Sequence, residues 1–502
     1  MIRAVMLGLA LWALGAASAL AVSPAGPRVK IESGWVVGTE EGPARIFRAI
    51  PYAAPPVGPL RWKPPQPPAP WTDDRAAAED GPACVQTVYP GGRYNAGGYS
   101  GPVSEDCLTL NVFAPVHASK APVMVWIFGG GNVAGADSIA PNDGRFFARD
   151  GVVLVAMNYR LGPLGFFAHP ALTKEAGPGA PLANYGLMDQ VAALKWVKRN
   201  IAAFGGDPSN VTIFGESAGG LDTLTLMVTP SARGLFQKAT VQSGGGWGAP
   251  LSLADGEARG VAVAGELGLP ADATAEQLRA LPADKLVAAG VAPLIVDGRF
   301  LIETAAQGFA RGHQAAAPLI IGSNTWEASL LPAFSYPTYA AALSPAVKAA
   351  YPDEASDPAR LAQAAFTDAT MGAPARWFAA QASKKAPAWL YEFSYVRVVR
   401  RGKIPGANHT SENPYVFDTQ MIVPNYASEI QEPDRAVAAF MHSCWVGFAR
   451  TGRPTCEAGG KPWPAYAPAT DELMQFDATP QIVAHYRKPQ LDAQEKALAP
   501  GP

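Results

Sequence analysis

Six continuous apolar runs, separated by helix-like segments, constrain the fold of this 502-residue chain most. They are Pro122 to Phe128, Gly151 to Met157, Asn210 to Phe214, Lys238 to Gln242, Ala317 to Gly322 and Ala388 to Phe393. Runs without polar alternation suit strands buried on both faces. A helical spacing of Val191, Leu194 and Val197 between the second and third runs, from about Met188 to Asn200, predicts a crossover helix. Strands separated by helices imply an α/β fold with a large, mostly parallel sheet and right-handed crossovers. Shorter strands are expected at Lys30 to Glu32 and Gly34 to Gly38. The Pro-rich stretch from Pro51 to Pro70 reads as an extended surface arm, since proline lacks the N–H that a helix or central strand needs. The Ala-rich stretches Asp255 to Ala289 and Ala341 to Ala382 read as helical. No short repeat or linker divides the chain, so one catalytic domain over residues 20–502 is expected.

Met1-Ile2-Arg3, the apolar stretch Ala4 to Gly15 and the small residues Ala17-Ser18-Ala19 have the layout of a signal peptide over residues 1–19. Cleavage is expected after Ala19 or Ala21; the alternative is an uncleaved anchor reaching Val22. A secreted or periplasmic protein is expected. In that setting Cys84, Cys107, Cys444 and Cys456 favour two local disulfides, Cys84–Cys107 and Cys444–Cys456, among three possible pairings. No metal-ligand spacing is present, and neither metal nor cofactor is expected. A net charge of −2 leaves no electrostatic footprint for nucleic acid, and no later segment suits a membrane span.

The chemistry centres on Gly215-Glu216-Ser217-Ala218-Gly219. An apolar run precedes this G-x-S-x-G motif and a helix-like segment from about Gly220 to Val228 follows it. A tight strand–turn–helix bend lifts a serine hydroxyl clear of a sheet, which makes Ser217 the candidate nucleophile. Phe128-Gly129-Gly130-Gly131 also follows a strand. Unshielded N–H groups there, with that of Ala218, can face a developing oxyanion. A serine on such an elbow is followed in the chain by its acid and then its histidine. That order sets aside His117 and His169 among the six histidines. Of His313, His409, His442 and His485, His409 sits in a turn-like loop after a strand, where a base belongs. Glu327 follows the run ending at Gly322, with Asp297 and Glu303 as competitors.

These landmarks resemble the type-B carboxylesterase and lipase family, which includes cholinesterases and bacterial p-nitrobenzyl esterases. The resemblance covers nearly the whole mature chain. It runs through Phe47-Arg48-Ala49-Ile50-Pro51-Tyr52-Ala53, Leu60-Arg61-Trp62, Ser104 to Val112, Asn158-Tyr159-Arg160-Leu161-Gly162, Asn184 to Gln190, Phe204 to Pro208 and Gln242-Ser243-Gly244. It implies an α/β-hydrolase fold with a mixed sheet flanked by helices, and a triad of Ser217, Glu327 and His409. It implies oxyanion donors at Gly130, Gly131 and Ala218, a supporting serine at Ser243 near the acid, and the pairing Cys84–Cys107. Glu216, beside the nucleophile, is taken with Ser243 as a supporting residue.

The chain departs from the family pattern at several points. Phe128 stands where histidine is frequent, Asn132 where an aromatic is usual, and Leu221-Asp222 where small residues are usual. Asp222 is thus expected to be a buried acid or part of a polar contact. Thr410 to Pro414 also differ from the usual continuation after the histidine. The Cys84–Cys107 loop carries Tyr89, Tyr94 and Tyr99 but no tryptophan, which argues against a choline site.

The expected activity is hydrolysis of a small-molecule carboxylic ester through an acyl-enzyme, in a protein taken by default as a monomer. Trp247, Phe334, Tyr336 and Tyr339 are candidate pocket walls for a moderately apolar, short-chain or aromatic ester. An acyltransferase and a non-catalytic binding protein on the same fold are the other readings.

Overall fold

The computed structural model describes residues 26–499 except 250 and 291–292. The expected leader lies outside the described residues. Eleven strands form the main sheet. In chain order they are β1 (Thr39–Glu41), β2 (Ala44–Pro51), β3 (Thr109–Pro115), β4 (Ala121–Ile127), β5 (Val153–Met157), β6 (Gly206–Glu216), β7 (Lys238–Gln242), β8 (Leu319–Asn324), β9 (Ala388–Phe393), β10 (Glu472–Phe476) and β11 (Gln481–Ala484). Their spatial order is β11-β10-β9-β8-β7-β6-β4-β5-β3-β2-β1. The seven strands from β10 to β5 run parallel, and the pairs at both edges are antiparallel.

All six expected apolar runs are strands of the parallel block. β5, β7, β8 and β9 are buried at every position. Four runs differ at their ends: β4 is shifted one residue earlier, β5 begins at Val153, β8 is shifted two residues later, and β6 runs from Gly206 to Glu216, past a register shift before Val211. The edge strands β1, β2, β10 and β11 lacked a comparable signal. β11, for instance, is Gln481–Ala484 with no fully buried residue.

The crossover helix α1 (Tyr185–Asn200) carries Lys198 and Arg199 in its last turn, where cations complement the helix dipole. Helix α2 (Ala218–Val228) starts directly after Ser217. Helix α3 (Glu432–Thr451) opens with a Gln431–Asp434 capping box and ends at Gly452 in the left-handed region. Beneath the sheet, Trp126, Phe147, Phe214 and Phe417 interlock edge-to-face and stacked, with ring centroids 4.8–6.0 Å apart. Both expected disulfides, Cys84–Cys107 and Cys444–Cys456, are formed.

A buried ion pair ties α1 to the carboxyl end of β5. Arg160 grips Asp189 in a two-pronged contact, both bonds 2.7 Å, and the Arg160 N–H adds a third at 3.1 Å. Neither side chain is more than 4 % exposed. No helix among the described residues is long and apolar enough to cross a membrane. Removing one half of such a pair leaves the other charge buried and uncompensated. Arg160→Ala is therefore expected to lower stability by about 3–5 kcal/mol, read from urea unfolding.

Candidate active site

The sheet register gathers the sequence candidates at one end of the parallel block. Ile127 of β4 pairs with Gly215 of β6, Glu216 with Gln242 of β7, and Gln242 with Gly322 of β8. The glycine loop, Ser217, Ser243 and Glu327 each follow one of these strand ends, and the His409 loop comes after β9. The crevice outside the carboxyl ends of parallel strands is where open α/β sheets hold ligands.

Ser217 turns the chain from β6 into α2 with φ +55° and ψ −124°. A side chain in this region is strained, and the surrounding structure must hold it there. Its N–H donates to Gln242 O at 2.9 Å, extending the β6–β7 ladder by one bond. Glycines allow the crowding: a Cβ on Gly219 would lie 2.0 Å from Ile127 O, and one on Gly129 would lie 2.9 Å from Ser217 Cβ.

Glu327 is fully buried. Its Oε2 lies 2.6 Å from His409 Nδ1, while Oε1 accepts from Ser243 Oγ at 2.5 Å and from the Asn324 N–H at 2.7 Å. The acid and histidine loops are stitched together. The Trp326 N–H donates to Ala407 O at 2.8 Å, and the His409 N–H to Ser329 Oγ at 2.9 Å. With Nδ1 held by Glu327, Nε2 is the imidazole nitrogen left for chemistry. It lies 3.1 Å from Glu216 Oε1 and has no hydrogen-bonded partner among the described residues.

On the other side of Ser217, Gly130 and Gly131 take φ of +101° and +66°. The N–H groups of Gly130, Gly131 and Ala218 have no acceptor among the described residues. Ala218 is the first residue of α2, where an N–H has no intrahelical partner. Three free donors beside a strained serine form an arrangement able to hold an anion.

The competing residues are engaged elsewhere. Asp297 accepts from the Phe300 and Leu301 N–H groups, and Glu303 pairs with His313. His442 lies between Val416 O and Asp150. His485 is half exposed beside Asp471. The candidate pocket aromatics are mostly structural. Tyr339 stacks edge-on against Phe366 in a small core around Tyr351 and Leu361, which Tyr336 also joins. Trp247 packs edge-on against Trp377, and Phe334 is 85 % exposed.

Glu412 was missed in the sequence. It is fully buried, accepts from Asn324 Nδ2, and adds a further carboxyl to the group around His409. Its position three residues after His409, in the loop with the unusual continuation, was the available signal.

Burial raises Glu216, because a carboxylate is costly away from water; the charge of His409 works against this, and Glu412 and Glu327 add to it. At His409 burial opposes the charged ring, but Glu216, Glu327 and Glu412 together outweigh it and raise the imidazole. Neutralising one of these carboxylates removes part of the support for the imidazolium. Glu216→Gln is thus expected to lower the His409 pKa, followed by the ring-proton NMR shift through a pH titration.

The geometry can be set beside known proteins. A model described as the carboxylesterase family matches residues 25–347 and 336–494. The chain is 37 % identical over 482 residues to the para-nitrobenzyl esterase of Bacillus subtilis (strain 168), covering 90 % of this chain and 94 % of that protein. It is 34 % identical over 474 residues to the fumonisin B1 esterase of Sphingopyxis macrogoltabida, covering 89 % and 85 %. A solved PNB esterase structure superposes with a TM-score of 0.80 at 33 % identity, over 93 % of this chain and 99 % of that one. The chain thus belongs to the carboxylesterase family and is a carboxylic ester hydrolase on the α/β-hydrolase fold.

Proposed function

We propose that the protein is an exported serine esterase that cleaves small carboxylic esters through Ser217, Glu327 and His409. The observation that carries this reading is the 2.6 Å contact between Glu327 and His409 Nδ1, at the sheet end where Ser217 occupies a strained turn. A base held at Nδ1 by a buried carboxylate is fixed in the tautomer and orientation that leave Nε2 to accept a proton.

In the first step Ser217 Oγ attacks the ester carbonyl carbon while His409 Nε2 takes its proton. Glu327 stabilises the imidazolium. The Gly130, Gly131 and Ala218 N–H groups receive the negative oxygen, and each donor of this kind is worth roughly 3 kcal/mol to the transition state. The tetrahedral species collapses with transfer of the His409 proton to the departing alcohol, leaving an ester on Ser217 Oγ. Water then attacks that ester as His409 takes its proton. Return of this proton to Ser217 Oγ frees the acid.

Ser243 and Asn324 support the mechanism by occupying Glu327 Oε1, which leaves Oε2 for the histidine. Glu216 beside His409 Nε2 helps carry the positive charge that develops on the ring. The leader-like residues 1–19 and the two disulfides support export, because disulfides persist in oxidising compartments. The related para-nitrobenzyl and fumonisin B1 esterases support a small-molecule ester as substrate.

Hydrolysis of p-nitrophenyl esters from acetate to decanoate tests the reading. The wild type is expected to turn over the short esters best, and Ser217→Ala to lose turnover by about 10⁵-fold or more with unchanged thermal unfolding. Full activity in Ser217→Ala would refute the proposal.

A further inference from the structure

Two of the residues that set this chain apart, Asn132 and Asp222, are 90 positions apart in sequence and in direct contact. Asn132 follows the glycine loop, with φ +58°, a region asparagine tolerates better than most side chains. Its Nδ2 donates to Asp222 Oδ1 at 3.1 Å. Gln190 Nε2, from α1, donates to the other Asp222 oxygen at 2.6 Å. The Tyr159 hydroxyl donates to Phe128 O at 2.7 Å and lies 3.1 Å from Asn132 Oδ1. The Gly162 N–H donates to Asn132 O at 2.7 Å. Asn132 is buried and Asp222 is fully buried.

Placing an acid here is costly. No charged side chain acts on Asp222 among the described residues; only the two amides do. Burial raises Asp222 to about 7, with Gln190 and Asn132 pulling the other way. A buried carboxyl group without an ionic partner is tolerated where its hydrogen bonds fix a geometry.

The geometry in question is that of the anion-holding N–H groups. Gly130 and Gly131 lie on the loop that ends at Asn132. Ala218 lies on α2, four residues before Asp222, and thus on the same helix face. Below the site, the β4–β6 ladder ties the loop to the helix, but that pairing ends at Ile127 and Gly215. Above it, the Asn132–Asp222 bond joins the two segments a second time. We infer that Asn132 and Asp222 are positioning residues that clamp the glycine loop to helix α2 and so hold the Gly130, Gly131 and Ala218 donors in register on the substrate oxyanion.

This inference rests on the proposed serine mechanism, and the test separates the two. Neither side chain needs to touch the substrate, so its loss should disturb the transition state more than the bound ester. With p-nitrophenyl acetate, Asp222→Ala and Asn132→Ala are each expected to lower kcat by about 10–100-fold, with KM within about threefold of wild type. Affinity for an aryl trifluoromethyl ketone, whose serine adduct places an oxyanion among the same donors, should fall in step with kcat. The double variant should lose clearly less than the two single losses combined, because both single variants remove the same Asn132–Asp222 bond.

Asp222→Asn should restore most of kcat. Its amide oxygen can still accept from Asn132, and a turned Gln190 can offer its Oε1, unpartnered among the described residues, to the new NH₂. The inference is overturned by a kcat within about threefold of wild type in Asp222→Ala, by unchanged ketone affinity, by additive losses in the double variant, or by an Asp222→Asn enzyme as slow as Asp222→Ala. Should Asp222→Ala not fold, Asn132→Ala and Asp222→Asn decide the matter by the same measurements. If Ser217→Ala is inactive while these variants match wild type, the clamp alone fails. Turnover in Ser217→Ala would remove the mechanism on which it rests.

Discussion

The site depends on the hydrogen-bonded ladder through β4, β6, β7 and β8. Residues from four distant parts of the chain come together because those strands end in register at one rim. Parallel pairing makes this possible. Each strand leaves the sheet at the same end, so the residue after each strand faces the same crevice. The bonds from the Ser217 and Ser243 N–H groups to the neighbouring strands carry the ladder just past the strands and into the site. Close approach then depends on small residues. Gly219 lets the Ser217 turn press against the end of β4, and Gly129 lets the glycine loop lie against Ser217.

Burial gives the second layer of organisation its force. Glu216, Glu327 and Glu412 surround one histidine in a region with almost no solvent. In water such carboxylates would be well solvated and their fields weak. Here each one counts, and together they raise the imidazole against the opposing effect of burial. In the proposed mechanism, the positive charge on His409 would therefore form in surroundings already arranged to stabilise it. Asp222, five residues along the chain from Ser217, is a buried acid of another kind, held by the Asn132 and Gln190 amides.

The sequence was most legible where one physical demand dominated. The inner strands must be apolar on both faces, and six continuous runs stood out for that reason. The edge strands face solvent on one side or are short, so β1, β10 and β11 left weak patterns. Nearby cysteine pairs have few ways to join, and both expected disulfides formed. Aromatic residues were harder to read. The same rings suit a pocket wall or a core, and packing took Tyr336, Tyr339 and Trp247 while leaving Phe334 in solvent.

The strand–turn–helix setting of Ser217, the glycine loop and the order of the candidate acid and histidine were already legible in the chain. These are local features, set by the conformations that glycine and alternating elements permit. Which carboxylate meets His409 depends on how the chain packs. Glu327, Asp297 and Glu303 flank the same strand, and the loop after β8 brings the first of them to the ring while local bonds occupy the others. Packing also placed Glu412 near His409 and joined Asn132 to Asp222. Contacts across such separations carry no periodicity in the chain. They exist because sheet register and helix packing fix where each side chain arrives.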